Sequence, residues 1–349
     1  MRFSDLKYLI AFIIPISGFI AIHLQGWWSY ITFIIAFILL PIIEQITPTS
    51  TDNLGQNAAK LKSTQWIFDL LLFANLPIIF TLIAYLYNTI SIQHNSYTEL
   101  LGMCLSTGII LGSCGINVAH ELGHKSSKIH KLAAQALLMP CLYMHFYIEH
   151  NRGHHLHVCT PNDPATSRKG ESIYLFWIRS ITMSYISAWK LEKKRLNKKS
   201  YWKKAFNNQM IQFTVIQSLY LAVIYLTLGI KVLFVALCIA VISFLLLETI
   251  NYIEHYGLIR TKKENGRYER VMPWHSWNSN HILGRIMLYE LTRHSDHHYL
   301  ANKKYQILDH HDSSPQLPLG YPASMLMALC PPIWFAVMNK KLKKIKKEN

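Results

Sequence analysis

Apolar residues in this chain gather into long, nearly unbroken blocks separated by short polar turns or long basic stretches. A bilayer-crossing helix needs about 20 mostly apolar residues. Six blocks reach or approach that length: 8–24, 28–46, 66–90, 100–118, 211–228 and 232–250. The first is long for a signal peptide, shows no clear cleavage site and is followed at once by a second block, so it reads as an anchor. The pattern predicts an all-α membrane protein with six transmembrane helices, a single domain over 1–349. Segments 119–210 and 251–325 would form a histidine-rich helical cap, and 339–349 a basic tail.

Six spans place both ends of the chain on one side. The segments on that side, 1–7, 44–65, 119–210 and 251–349, carry 34 of the 35 Lys and Arg. The turns on the other side, near Gln25, at 91–98 and at 229–231, carry only Lys231. The positive-inside rule makes the basic side cytoplasmic. Trp27 and Trp28 suit an outer interface belt and Trp66 an inner one, although ordinary packing serves all three as well.

Composition narrows the partners. The 349 residues are 51% hydrophobic and 15% charged, with a formal charge of +16. With apolar blocks this long, that charge points to anionic lipid or an acidic protein rather than nucleic acid. Six cysteines lie far apart with no CxxC pair, which excludes a disulfide framework and a thiolate-ligated zinc or iron site. Six lysines within 340–347 read as a disordered or lipid-touching tail.

The candidate chemistry lies in the histidines. His120 and His124 are four apart, which on a helix puts both rings on one face. His294, His297 and His298 are spaced i, i+3, i+4 and read the same way. His150 and His154 repeat the four-residue step, with His155 turned aside. His255 stands alone, just past the sixth block. Any one pair is a weak signal, but three clusters and His255 together read as one metal site gathered from four segments. Nine histidines exceed what a single ion takes, so two metals with four or five rings each account for them. Imidazole suits iron, zinc or copper alike. Glu121, Glu149, Glu254 and Asp296 sit beside these rings, either to accept from ring N–H groups or as ordinary helix-face charges. His130, His145, His157, His275, His281, His310 and His311 lack the paired spacing, and His23 and His94 fall on the outer side. There is no GxSxG, Walker or GxGxxG motif. Residues 120–124 match HExxH of zinc proteases, but that leaves seven histidines unexplained.

The residues Asn117-Val-Ala-His-Glu-Leu-Gly-His-Lys125, Glu149-His-Asn-Arg-Gly-His-His155 with Thr160-Pro-Asn-Asp-Pro164, Asn251-Tyr-Ile-Glu-His-Tyr-Gly257, and Leu291-Thr-Arg-His-Ser-Asp-His-His298 with Pro315-Gln-Leu-Pro-Leu-Gly-Tyr321 resemble the histidine boxes of the integral-membrane alkane 1-monooxygenases. These belong to the wider superfamily of membrane desaturases and hydroxylases. The resemblance runs from the first span to about Tyr321. It implies that His120, His124, His150, His154, His155, His255, His294, His297 and His298 ligate two non-haem irons. It implies further that dioxygen and electrons from a rubredoxin and its reductase convert medium-chain linear alkanes to primary alcohols. The setting implied is the bacterial cytoplasmic (inner) membrane, with the site facing the cytoplasm. The box around His255 separates alkane hydroxylases from desaturases. Cys159, Ala165-Thr166-Ser167, Thr292 and Tyr299-Leu-Ala-Asn302 depart from the usual pattern beside the boxes. A related enzyme acting on fatty acyl chains or alkyl-aromatic methyl groups, and a non-catalytic metal-binding membrane protein, are the alternatives.

Overall fold

The computed structural model describes residues 3–197 and 206–348. Part of the long basic loop, 198–205, lies outside the described residues, as do residues 1, 2 and 349. Among the described residues the secondary structure is helical, with only isolated β-bridges besides.

Five helices are long and apolar enough to cross a membrane: Asp5–Leu24, Gly26–Ile46, Ile67–Ile92, Tyr97–Gly123 and Gln209–His255. The last has 47 residues. At 1.5 Å per residue it would reach about 70 Å if straight, over twice the thickness of a hydrocarbon core. It breaks instead at Gly229, whose φ of 83° lies in the left-handed region that glycine enters without steric cost. The resulting pieces, 209–228 and 230–255, hold the fifth and sixth predicted blocks. A further apolar pair, Tyr321–Ala328 and Pro331–Ile345, is bent by 119° and passes the same test when taken together as one broken span.

The chain groups into two compact units. The first comprises Met1–Ile38, Trp66–Asn151 and Tyr185–Leu247, and the second Leu39–Gln65, Arg152–Ser184 and Glu248–Asn349. In the first unit, helix ends are set by local chemistry. Ser96 and Glu99 form a reciprocal capping box that starts Tyr97–Ile110. Glu99 also accepts from the Gly26 amide at 3.0 Å, tying the start of this helix to the turn between the first two spans. Gly108 and Gly112 let Tyr97–Gly123 approach 230–247 closely, since an added Cβ would fall 2.5 Å from Ile242 and 2.6 Å from Leu246. Trp27 and Trp66 are both exposed.

In the second unit the basic tail, expected as a disordered or lipid-touching end, is helical. The helix Pro331–Glu348 continues through it. Trp334, Met338 and Leu342 recur every four residues and are buried. Trp334 packs on Tyr252 and Tyr256, and Lys341 donates to the Gln316 carbonyl at 3.2 Å. That apolar stripe sustains the helix, and the lysine run around it conceals it in the sequence.

Candidate metal centre

Three of the nine histidines gather in the first unit. The helix Asn117–Gly123 carries His120, and its first residue past the end is His124. The two rings lie 5.0 Å apart, and His150 lies 4.4 and 5.1 Å from them between centroids. The Nε2 atoms of His124 and His150 are 3.1 Å apart. The four-residue spacing therefore places His120 and His124 together, as α-helical geometry requires.

Four more converge in the second unit. His154, His255, His294 and His298 point their ring nitrogens at a common centre, all within 4.8 Å of one another. The Nε2–Nε2 separations are 3.2 Å for His154–His298, 3.3 Å for His255–His294 and 2.9 Å for His294–His298. All four side chains are buried. His155 and His297 form a separate pair in the same unit, with Nε2 atoms 3.2 Å apart.

Two groupings expected from the sequence change here. His150 and His154 fall in different histidine groupings, and residues His150–His154 wind as a π-helix rather than the α-helix their spacing suggests. His154 faces His255 and His298, and His155 faces His297. In the helix His294–Tyr299, His294 and His298 stay together while His297 departs. Successive residues differ by about 100° around an α-helix, so adjacent rings cannot aim at one point.

The carboxylates divide as well. Glu254 Oε2 lies 3.1 Å from His294 Nε2, and its Oε1 accepts from the Tyr321 hydroxyl at 2.8 Å. Asp296 instead accepts from His311 at 2.7 Å, from Lys303 at 2.6 Å and from the Asp309 amide at 2.7 Å. It therefore fastens the loop after its own helix. Glu149, buried, lies 3.4 Å from the Ser187 hydroxyl. Glu121 is 4.0 Å from Lys125.

Several residues that touch the rings were not singled out by spacing. Asp163 Oδ2 pairs with His154 Nδ1 at 2.9 Å and accepts from Thr166 at 2.5 Å, while its Oδ1 accepts from the Ala165 amide at 3.1 Å. Burial opposes its charge, but His154 and these donors outweigh burial and hold the carboxyl below its usual range. The only hint in the sequence was its place in Thr160-Pro-Asn-Asp-Pro164. His275, set aside for lack of spacing, contributes its carbonyl, 3.4 Å from His255 Nδ1. Arg260 donates to the carbonyls of Leu156, at 2.9 Å, and Val158, at 3.4 Å, bracing the end of the segment that carries His154 and His155. His157 joins neither metal-binding grouping.

This donor set suits a transition metal. Metal–imidazole bonds of 2.0–2.1 Å put neighbouring nitrogens roughly 2.9–3.4 Å apart in octahedral or tetrahedral geometry. The Nε2–Nε2 separations of His154–His298, His255–His294 and His294–His298 fall within that range. Burial, followed by the surrounding rings, pushes the His298 pKa well below its ordinary value. The ring is thus neutral, which is the form that binds metal. Histidine groups of this kind can hold metal ions, and neutral nitrogen donors fit iron, zinc and copper.

Comparison with known proteins agrees with this geometry. The profile of the fatty acid desaturase family matches residues 97–323. Alkane 1-monooxygenase 2 of Pseudomonas aeruginosa is 37% identical over 339 residues, covering 93% of this chain and 89% of the relative. Alkane 1-monooxygenase of Ectopseudomonas oleovorans is 36% identical over 330 residues, covering 94% and 82%. The hydroxylase component of a Pseudomonas putida xylene/toluene monooxygenase is 25% identical over 346 residues, covering 97% and 88%. With its helical spans, its converging histidines and these relatives, the chain belongs to the alkane 1-monooxygenases, an enzyme family within the broader fatty acid desaturase family.

Proposed function

We propose that this protein hydroxylates the terminal methyl group of medium-chain linear alkanes to give primary alcohols. It would do so in a bacterial cytoplasmic membrane, with its metal site toward the cytoplasm. The supporting observation is the four-histidine group, whose nitrogen spacing matches a metal's coordination edges. His154, His255, His294 and His298 would hold one iron, and His120, His124 and His150 would contribute to a second. Bound iron supplies the redox chemistry: dioxygen, two electrons and two protons give one hydroxylated carbon and one water.

The side chains prepare the site for that chemistry. Asp163 accepts the His154 Nδ1 proton, fixing the tautomer that leaves the Nε2 lone pair facing the group. The His275 carbonyl does the same for His255. Glu254, held by the Tyr321 hydroxyl, sets its Oε2 beside His294 Nε2, the nitrogen that faces the group. Burial of the four rings keeps bulk water away from the reacting methyl group. An alkane dissolves in the bilayer, so the apolar helices offer it a route. One methylene changes apolar binding by only about 1–3 kcal/mol, so chain length is better set by a side chain that blocks the path. The basic residues outside the spans suit an acidic rubredoxin-type carrier, supplied by its reductase, through electrostatic steering.

The test is metal analysis of purified protein together with product analysis in cells fed alkanes of graded length. Two irons per chain and primary alcohols from medium-length alkanes are expected. Iron-free protein, or oxygen consumption with no alkane tested, would refute the reading. The xylene/toluene relative supports a second reading, in which the methyl group is alkyl-aromatic. Benzylic alcohol from an aromatic feed, with none from alkanes, would favour it.

A further inference from the structure

Glu44, in the helix Leu40–Ile46, is 1% exposed. No side chain among the described residues hydrogen-bonds to either of its oxygens. The Gly284 amide is the backbone group turned toward it. The carboxylate sits between two glycines of the same unit. A Cβ built on Gly284 would lie 2.4 Å from Oε1, and one built on Gly320 would lie 1.9 Å from Oε2. The carboxylate fills the volume that side chains at both positions would need.

Its location bears on the metal group. Gly320 caps the eight-residue helix Tyr321–Ala328, whose first backbone bond runs from the Ser324 amide to the Gly320 carbonyl at 2.9 Å. Pro322 lacks an N–H, so a nearby negative charge complements the few free donors of this first turn. The next residue, Tyr321, is 1% exposed and donates its hydroxyl to Glu254, which abuts His294. A buried carboxylate is costly, and an apolar residue of similar size would pack more cheaply if filling space were its only task.

We propose that Glu44 is a positioning residue for the four-histidine group: it locks the Gly320–Tyr321 turn and so keeps the Tyr321 hydroxyl on Glu254 beside His294. This rests on the reading of His294 as an iron ligand. Gly284 and Gly320 are glycines because Glu44 occupies the space beside their Cα atoms.

The experiment uses the full chain in lipid nanodiscs, loaded with ferrous iron. Glu44→Gln keeps the shape and removes the charge. It is expected to retain the wild-type iron content and KM, to lower kcat about 10-fold as outer partners of metal ligands do, and to shift the Mössbauer signal of one of the two irons. Tyr321→Phe should shift the same signal. The double variant should be no slower than Tyr321→Phe alone, since both changes break one connection. Glu44→Asp should restore part of the wild-type signal. Should Glu44→Gln fail to accumulate, Gly320→Ala is compared with Gly320→Ala/Glu44→Ala, and recovery of the iron signal in the double variant supports the contact. An unshifted Glu44→Gln signal, rates that multiply in the Glu44→Gln/Tyr321→Phe double variant, or no recovery in the alanine pair would overturn the proposal. Wild-type protein without iron would instead sink the metal reading and leave Glu44 a packing residue only.

Discussion

The two units are held together by different means. The first closes largely by fit between smooth helices. Gly108 and Gly112 admit Ile242 and Leu246. The second contains much irregular backbone, and arginines bind it. Arg179 pairs with Glu171 and donates to the carbonyls of Pro164 and Thr166. Arg293 donates to the carbonyls of Leu308 and Asp52, and Arg285 pairs with Glu290. Helices satisfy their own amides and carbonyls, whereas loops leave carbonyls that a planar guanidinium can serve several at a time. Assembly in the membrane should therefore lean on the apolar fit of the first unit, and the four-histidine group on the loops of the second.

The largest expected effect separates these roles directly. His255→Ala removes one of four converging rings at the end of a span. Alcohol formation should fall below detection and iron should drop from two to about one per chain, while the amount in membranes stays at the wild-type level. Measuring all three on one membrane preparation is decisive. Wild-type turnover would remove His255 from the site, and loss of the protein from the membrane would break the division between the units.

Asp163→Asn comes next. The amide keeps the size of the carboxylate but weakens its hold on His154 Nδ1. Partners of this kind typically contribute 10–100-fold in metal affinity or activity. Iron retention against a chelator should weaken by about 10-fold or more. Retention equal to wild type would show that the π-wound turn alone orients the His154 ring.

These two cases show how far the sequence could be read. Blocks of apolar residues mark spans because a bilayer tests only length and polarity, and Gly229 lies where the turn between the fifth and sixth blocks was expected. His120 with His124 was legible because a regular helix fixes their angle. The partition of His150, His154 and His155 was not, since π winding leaves no periodic mark in seven residues. Asp163 and Tyr321 were illegible for another reason: each meets its partner through the tertiary fold, nine residues away in one case and 67 in the other. Spacing rules reach only about one helical turn.

Arg260→Lys sharpens the contrast within the second unit. Lysine keeps the charge but cannot serve Leu156, Val158 and the Glu269 carbonyl together. Leaving a buried carbonyl without a donor costs about 1–3 kcal/mol. Thermal inactivation should move to lower temperature, and proteolysis should begin in the 156–160 region before the spans are cut. Cleavage beginning in the first unit would contradict the assignment of Arg260 to this brace.

The smallest effect belongs to Lys231, the lone Lys or Arg in the three short turns between the apolar blocks. Lys231 donates to the carbonyls of Ile90 and Gln93 at 3.2 Å each, at the end of the helix Ile67–Ile92. The last carbonyls of a helix lack partners within it, and a cation there also meets the negative end of the helix dipole. The residue that breaks the charge asymmetry thus has a local reason to be where it is. Lys231 is exposed, however, and water can replace it. Lys231→Gln keeps one donor and loses the charge, so it should cost at most about 0.3–1 kcal/mol. Its iron content and alcohol yield should match wild type, with thermal inactivation shifted slightly down at low salt and unshifted at high salt. A large loss of iron from this change would mean that this short turn governs the metal group, and the assignment of the four-histidine group to the loops of the second unit would then be wrong.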